Sequence, residues 1–150
     1  MNKSLILVTG GAGFIGANFV YLHQDKLARQ IVNLDKLTYA GNLVTLANLE
    51  LSDRYIFVRG DIGDRQLVDS LLDRYQPQAI VNFAAETHVD RSIDSPASFI
   101  ETNINGTFNL LESARQYWRQ LPDETRSMFR FLHISTDEVR SEERRVGKEC

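Results

Sequence analysis

The stretch "TGGAGFIG", Thr9 to Gly16, follows the apolar run "LILV" (Leu5 to Val8) and sets Gly10, Gly13 and Gly16 three residues apart. This pattern suits a strand that turns tightly into a helix, lets backbone amides approach a pyrophosphate and aims the positive end of the helix dipole at that anion. Glycine fits there because no Cβ stands in the way. The motif alone is equally compatible with a purely structural turn. Asp35 adds a second signal, because it ends the next apolar run, "IVNLD" (Ile31 to Asp35), about 20 residues on, where a carboxylate can accept from a ribose hydroxyl. Together they predict a dinucleotide site. A carboxylate at that position repels a 2′-phosphate, so NAD is expected over NADP, although Lys36 beside it pulls the other way. The plainer reading of Asp35 is a loop-capping aspartate.

Moving outward, "YIFVRG" (Tyr55 to Gly60), "AIVNFAA" (Ala79 to Ala85) and "FLHIS" (Phe131 to Ser135) are also continuous apolar runs, as expected of parallel strands buried on both faces. Between the third and fourth runs, Asp64 can cap a helix carrying Leu67, Val68, Leu71 and Leu72 that ends before Pro77. Between the fourth and fifth, Ser95 and Pro96 open a long helix through Phe99, Ile100, Ile104, Phe108, Leu111 and Tyr117. The expected order is βαβαβαβαβ. The fold class is therefore α/β, a Rossmann-type doubly wound parallel sheet, truncated after its fifth strand.

Composition agrees with one soluble domain: 150 residues, 43% hydrophobic and 25% charged, with a net charge of −3. There is no polybasic footprint for nucleic acid or an anionic membrane. The opening apolar run is too short for a signal core or a membrane span. The single cysteine, Cys150, excludes an internal disulfide and a cysteine metal cluster, so a cytoplasmic setting and no metal are expected.

Ligands in such sheets bind beyond the carboxyl ends of the strands. Asp61 and Ile62 in "GDI" could meet an adenine edge, and Phe83, Ala84 and Ala85 in "FAAETHVDRS" leave room for a cofactor to pass. The competing reading of Asp61 is a turn carboxylate, and His88 reads first as a structural loop histidine. Thr102 and Asn103, early in the long helix, read first as ordinary helix residues.

"TGGAGFIG", "LDKLTYAGN" (Leu34 to Asn42), "AAETHVDRSI" (Ala84 to Ile93), "TNINGT" (Thr102 to Thr107) and "STDEV" (Ser135 to Val139) together resemble the extended short-chain dehydrogenase/reductases. Within them the likeness is to the dTDP-glucose 4,6-dehydratases. It runs from Met1 to Val139, and "DKLTYAGN" and "STDEV" are its most specific parts. The resemblance implies NAD as cofactor, a nucleotide sugar (dTDP-glucose) as substrate, and a homodimer to which the long helix contributes. It implies that Gly10, Gly11, Ala12, Gly13, Phe14, Ile15 and Gly16 form the pyrophosphate turn. Asp35, Lys36, Leu37, Thr38, Asp61 and Ile62 would hold the adenosine half, with Phe83, Ala84, Ala85, Thr87 and Thr102 along the rest of the cofactor. Thr87 would also touch substrate. Catalysis would fall to Thr136 on the C4 oxygen, Asp137 as acid to the C6 hydroxyl and Glu138 as base at C5.

The sequence departs from that family at Arg140. The family continues with Tyr-Gly, a helix bearing Tyr-x-x-x-Lys, and a smaller carboxyl-terminal substrate domain. Here Tyr21, Tyr39, Tyr55, Tyr75 and Tyr117 are followed four residues on by Asp25, Leu43, Arg59, Ala79 and Leu121. "RSEERRVGKEC", residues 140–150, matches the translation of a sequencing-adapter DNA. The expectation is an incomplete NAD-binding domain over 1–139, a non-native tail, no substrate domain and no turnover. A UDP-glucose 4,6-dehydratase, a related epimerase and a non-catalytic NAD-binding protein stay open as alternatives.

Overall fold

Leu5–Thr9 has no polar side to turn toward water, and all five residues are buried at the centre of a five-stranded parallel sheet. The structure is a computed structural model describing residues 5–25, 29–49, 52–87 and 96–135. The strands are β1 (Leu5–Thr9), β2 (Gln30–Asp35), β3 (Tyr55–Arg59), β4 (Ala79–Asn82) and β5 (Arg130–His133), in spatial order β3-β2-β1-β4-β5. Val8 lies opposite Asn33 on one side and Val81 on the other. The order reverses between β1 and β4, so the chain leaves these two neighbours on opposite faces and opens a crevice at their carboxyl ends.

The sheet is covered on both faces. On one side α1 (Phe14–Asp25) places Ala17 and Val20 over Ile6, Val8 and Ile31. On the other, α2 (Arg65–Tyr75) places Val68, Leu71 and Leu72 over Leu7, Val32 and Ile80. The expected cap of α2 is present: Asp64 accepts from the Leu67 amide at 3.0 Å, and Gln76 closes the helix in the left-handed region, ahead of Pro77.

Helical structure between β4 and β5 comprises α3 (Pro96–Phe99), a π-helical segment (Ile100–Gly106), α4 (Thr107–Gln120) and α5 (Asp123–Met128). Ser95, the expected cap, lies outside the described residues. The expected single helix is thus interrupted by a wider turn, and α5 has no counterpart in the sequence reading. The core face of α4 is Leu110, Ser113, Ala114 and Tyr117, whereas Ile100, Ile104, Phe108 and Leu111 remain exposed.

Two expectations are corrected. Among its described residues the β2–β3 connection holds a 3-10 helix, Leu43–Leu49, and no α-helix; only Leu46 of that helix is buried, too little apolar contact to hold a longer helix against the sheet. The strands are also not all buried on both faces. β3 and β5 form the sheet's edges among the described residues, and β5 is largely exposed, with Leu132 at 50%. Such an edge is an aggregation hazard. Strand ends shift by a few residues as well: β4 stops at Asn82 and β5 at His133, because the chain there turns to build loops.

Replacing Asp64 by Ala is expected to lower unfolding free energy by about 1 kcal/mol, and by Gly only a few tenths, since the lost element is the side-chain acceptor. Urea titration of the three chains checks the order.

Candidate dinucleotide-binding site

Gly10 begins the turn after β1 with φ +69°, and a Cβ there would lie 2.5 Å from the Ala84 amide nitrogen. The turn therefore passes against the chain leaving β4, which is how the crevice acquires a backbone floor. Gly16, in the first turn of α1, is equally constrained: a Cβ would stand 2.3 Å from the Gly10 carbonyl oxygen. Gly13 has only that same oxygen nearby, at 3.4 Å, and faces the cleft.

The loop is tied down from β2. Asn33 Oδ1 accepts from the Gly11 amide (3.1 Å), and Asp35 accepts from the Ala12 amide (2.8 Å) through one oxygen and from the Leu37 amide (2.8 Å) through the other. Asp35 is 8% exposed. The loop-capping reading thus describes its geometry, while each carboxylate oxygen keeps a lone pair for a further donor. The Asn42 amide reaches the Ala12 carbonyl at 3.0 Å, fastening the segment after Asp35 to the same turn.

A cleft of about 560 Å³, including solvent at its mouth, runs across these strand ends. Gly10, Gly13, Asp35, Lys36, Thr38, Asp61, Ile62, Phe83, Ala84, Ala85 and Thr102 all line it. Gly11, Ala12, Gly16 and Leu37 do not line it but support it from behind. Phe14 and Ile15 turn outward at the start of α1, 86% and 62% exposed. Thr87 is exposed just beyond the lining. His88, Thr136, Asp137 and Glu138 lie outside the described residues.

Lys36 Nζ and Asp61 Oδ2 pair at 2.6 Å across one end of the cleft. The bond to Asp61 is the main cause raising the Lys36 pKa above its ordinary value. For Asp61, burial works upward, but the Lys36 bond, the Gly63 amide and the Lys36 charge together hold the carboxyl below its ordinary value. Both groups are charged at neutral pH.

Asparagines supply a scaffold the sequence reading missed. Asn82, fully buried at the end of β4, accepts from Thr9 Oγ1 and from the Ala84 amide (3.0 Å) through Oδ1. Since an amide N–H must meet an acceptor, this fixes Oδ1, and Nδ2 donates to Nδ1 of His133 at 3.0 Å. Asn103 makes a two-bond match with the backbone of Glu86, 2.8 Å each way, so as an exposed, hydrogen-bonded helix residue it also holds the loop after β4. Asn109 Nδ2 donates to the Ile62 carbonyl at 2.6 Å. The available signal was an asparagine inside an otherwise apolar run, at Asn33 and Asn82, where a polar side chain must have a buried partner.

A parallel sheet in this order, with a glycine turn, a carboxylate ending β2 and a cleft at the point of reversal, defines a Rossmann-type α/β domain. Residues 7–143 match the sequence profile of the GDP-mannose 4,6 dehydratase family, and the chain belongs to that family. Over 133 residues it is 62% identical to a dTDP-glucose 4,6-dehydratase of Xanthomonas campestris pv. campestris, covering 89% of this chain and 38% of the relative. A Neisseria gonorrhoeae enzyme of the same name is 55% identical over 137 residues, covering 91% of this chain and 40% of its own. The chain thus spans about two-fifths of the length of the curated relatives it matches. Among solved structures, the Bacillus anthracis dTDP-glucose 4,6-dehydratase in complex with NAD aligns with a TM-score of 0.72 at 40% identity, over 90% of this chain and 38% of that one. A Campylobacter jejuni UDP-Glc/GlcNAc 4-epimerase aligns with the same TM-score at 31% identity, over 89% of this chain and 37% of its own.

Gly16→Ala is expected to destabilise the fold by about 1–3 kcal/mol, the usual range for forcing atoms into packed space. Gly13→Ala, with its one distant neighbour, is expected to cost clearly less. Denaturant midpoints of both variants read the difference.

Proposed function

We propose that these residues form the cofactor-binding part of an NAD-dependent dTDP-glucose 4,6-dehydratase, a hydro-lyase of deoxysugar (rhamnose-type) synthesis. The observation that carries this is the cleft itself: the glycine turn, the Asp35 carboxylate and the Lys36–Asp61 pair stand where a dinucleotide would lie. The 62% identity to a dehydratase of that name supports the particular reaction. NAD, when bound, supplies a hydride acceptor that makes C4 of the sugar a ketone and later returns the hydride to C6. The C5 proton then lies next to a carbonyl and becomes acidic enough for a carboxylate to remove.

The chain's own residues divide the remaining work. The amides of Gly10 to Gly13 are bonded within the protein, so the amino-terminal end of α1 that the turn leads into would face the pyrophosphate, and Asp35 and Asp61 would meet the adenosine half. Thr136 would hydrogen-bond the C4 oxygen, Asp137 would protonate the departing C6 hydroxyl and Glu138 would take the C5 proton. Thr87 would meet the sugar. Paired carboxylates can split acid and base roles when their surroundings separate their pKa values. We place this work in the cytoplasm.

The sequence holds no Tyr-x-x-x-Lys pair to deprotonate the C4 hydroxyl, and residues 140–150 read as a non-native tail. Loss of a general base alone costs about 10²- to 10⁴-fold. The 150-residue chain is therefore expected to bind NAD and to produce no 4-keto-6-deoxy sugar from dTDP-glucose. Calorimetric titration with NAD, alongside chromatography of the nucleotide sugar after incubation, tests both halves. Absence of NAD binding by the folded chain would overturn the cofactor reading; appearance of the keto product would overturn the inactivity.

The exposed apolar row Ile100, Ile104, Phe108 and Leu111 supports the dimer. Apolar side chains of this size left exposed so near one another are what a second copy could cover. Phe108→Asp is expected to abolish self-association in sedimentation equilibrium while leaving the circular dichroism spectrum unchanged, since that side chain is 64% exposed.

A further inference from the structure

The NAD reading puts Lys36 beside the adenosine half but gives its charge no task. Among the described residues it is the only lysine or arginine lining the cleft, and it comes directly after the carboxylate expected at the ribose. A cation in that place is what a 2′-phosphate, bearing about −1.5 to −2 charges, would need. Asp35 repels such a phosphate through its charge, but the ion pair that Lys36 makes is with Asp61 and not with Asp35. Something else must keep Lys36 from welcoming it.

We infer that Asp61 is a specificity-determining residue: by holding the Lys36 ammonium it denies a 2′-phosphorylated dinucleotide its counter-charge. This deepens the NAD reading and rests on it. Three features fix Asp61 in that role. Its Oδ2 meets Lys36 Nζ at 2.6 Å, and its Oδ1 accepts from the Gly63 amide at 2.9 Å, so the carboxylate is oriented from both ends. The next residue is anchored, because Ile62 packs against Gly106, where a Cβ would come within 2.9 Å of its side chain, and its carbonyl is held by Asn109. The Asp61 loop therefore cannot drift away from Lys36 without disturbing α4. A phosphate arriving at Lys36 would also meet the Asp61 carboxylate as a like charge.

The test uses the 150-residue chain and its Asp61→Asn, Lys36→Met and doubly substituted variants, each checked for the folded spectrum by circular dichroism. Each is titrated with NAD and with NADP at low ionic strength. Asparagine keeps an acceptor and nearly the same shape, so NADP affinity is expected to rise about tenfold, in absolute terms and relative to NAD, as a charge-assisted contact becomes available. The gain should vanish when Lys36→Met is added and shrink with salt.

In the wild-type chain the preference for NAD should stay level from about pH 7 to 9. Asp61, with its lowered pKa, takes up a proton only below the ordinary carboxylate range, and Lys36, with its raised pKa, loses one only above the ordinary lysine range. An Asp61→Asn chain with unchanged NADP affinity overturns the inference, and so does a gain that survives removal of Lys36, which would mean simple repulsion by Asp61. A wild-type chain that binds neither dinucleotide defeats the underlying NAD reading instead.

Discussion

The Asp35 carboxylate holds the cofactor end of this fold together. One oxygen accepts from Ala12, in the turn after β1, and the other from Leu37, in the turn after β2. Two loops that leave neighbouring strands thus share one buried anion. Leu37 has φ +57°, a left-handed conformation that costs a side-chain-bearing residue about 1–2 kcal/mol. The amide bond to Asp35 offsets that strain locally. Asn33, two residues earlier on the same strand, secures Gly11 in the same manner, so the glycine turn takes its shape from β2 as much as from its own glycines.

The cleft is a product of that arrangement and of close backbone contact. Gly10 lets the turn approach the Ala84 segment, and Asn82 keeps that segment at a fixed height over β1 and β5 through Thr9 and His133. Fully buried amides joined to several partners are expensive to disturb, because removing one leaves the others desolvated and unbonded. The floor of the site is consequently stiffer than its outer wall, where Lys36 and Asp61 meet in partial contact with water.

Much of this was legible in the sequence. Continuous aliphatic runs marked five strands, and the glycine turn with Asp35 after it placed the cleft at the correct strand ends. The cap at Asp64 was readable because its chemistry is local. What could not be read depends on contacts between distant parts of the chain. Nothing in "IVNLD" or "AIVNFAA" says which partners Asn33 and Asn82 will find. The 3-10 helix of Leu43–Leu49 was missed because apolar period says nothing about how much surface remains for a connection to bury. The side chains of Phe14 and Ile15 face solvent, which the motif that contains them does not say.

The wider π turn at Ile100–Gly106 and the helix α4 that follows it turn their faces to different parts of the molecule. Thr102 and Asn103 look toward the cleft and the Glu86 loop, while Leu110, Ala114 and Tyr117 look toward the sheet. A residue added to a helix rotates everything before it by about 100° relative to everything after it, since 3.6 residues complete a turn. The segment therefore works as an angular offset between binding face and core face. Sequence change in the core half can proceed without re-aiming Thr102 or Asn103, provided the length of Ile100–Gly106 is kept. Length in that short stretch, more than residue identity, is the quantity that evolution or design would have to hold constant.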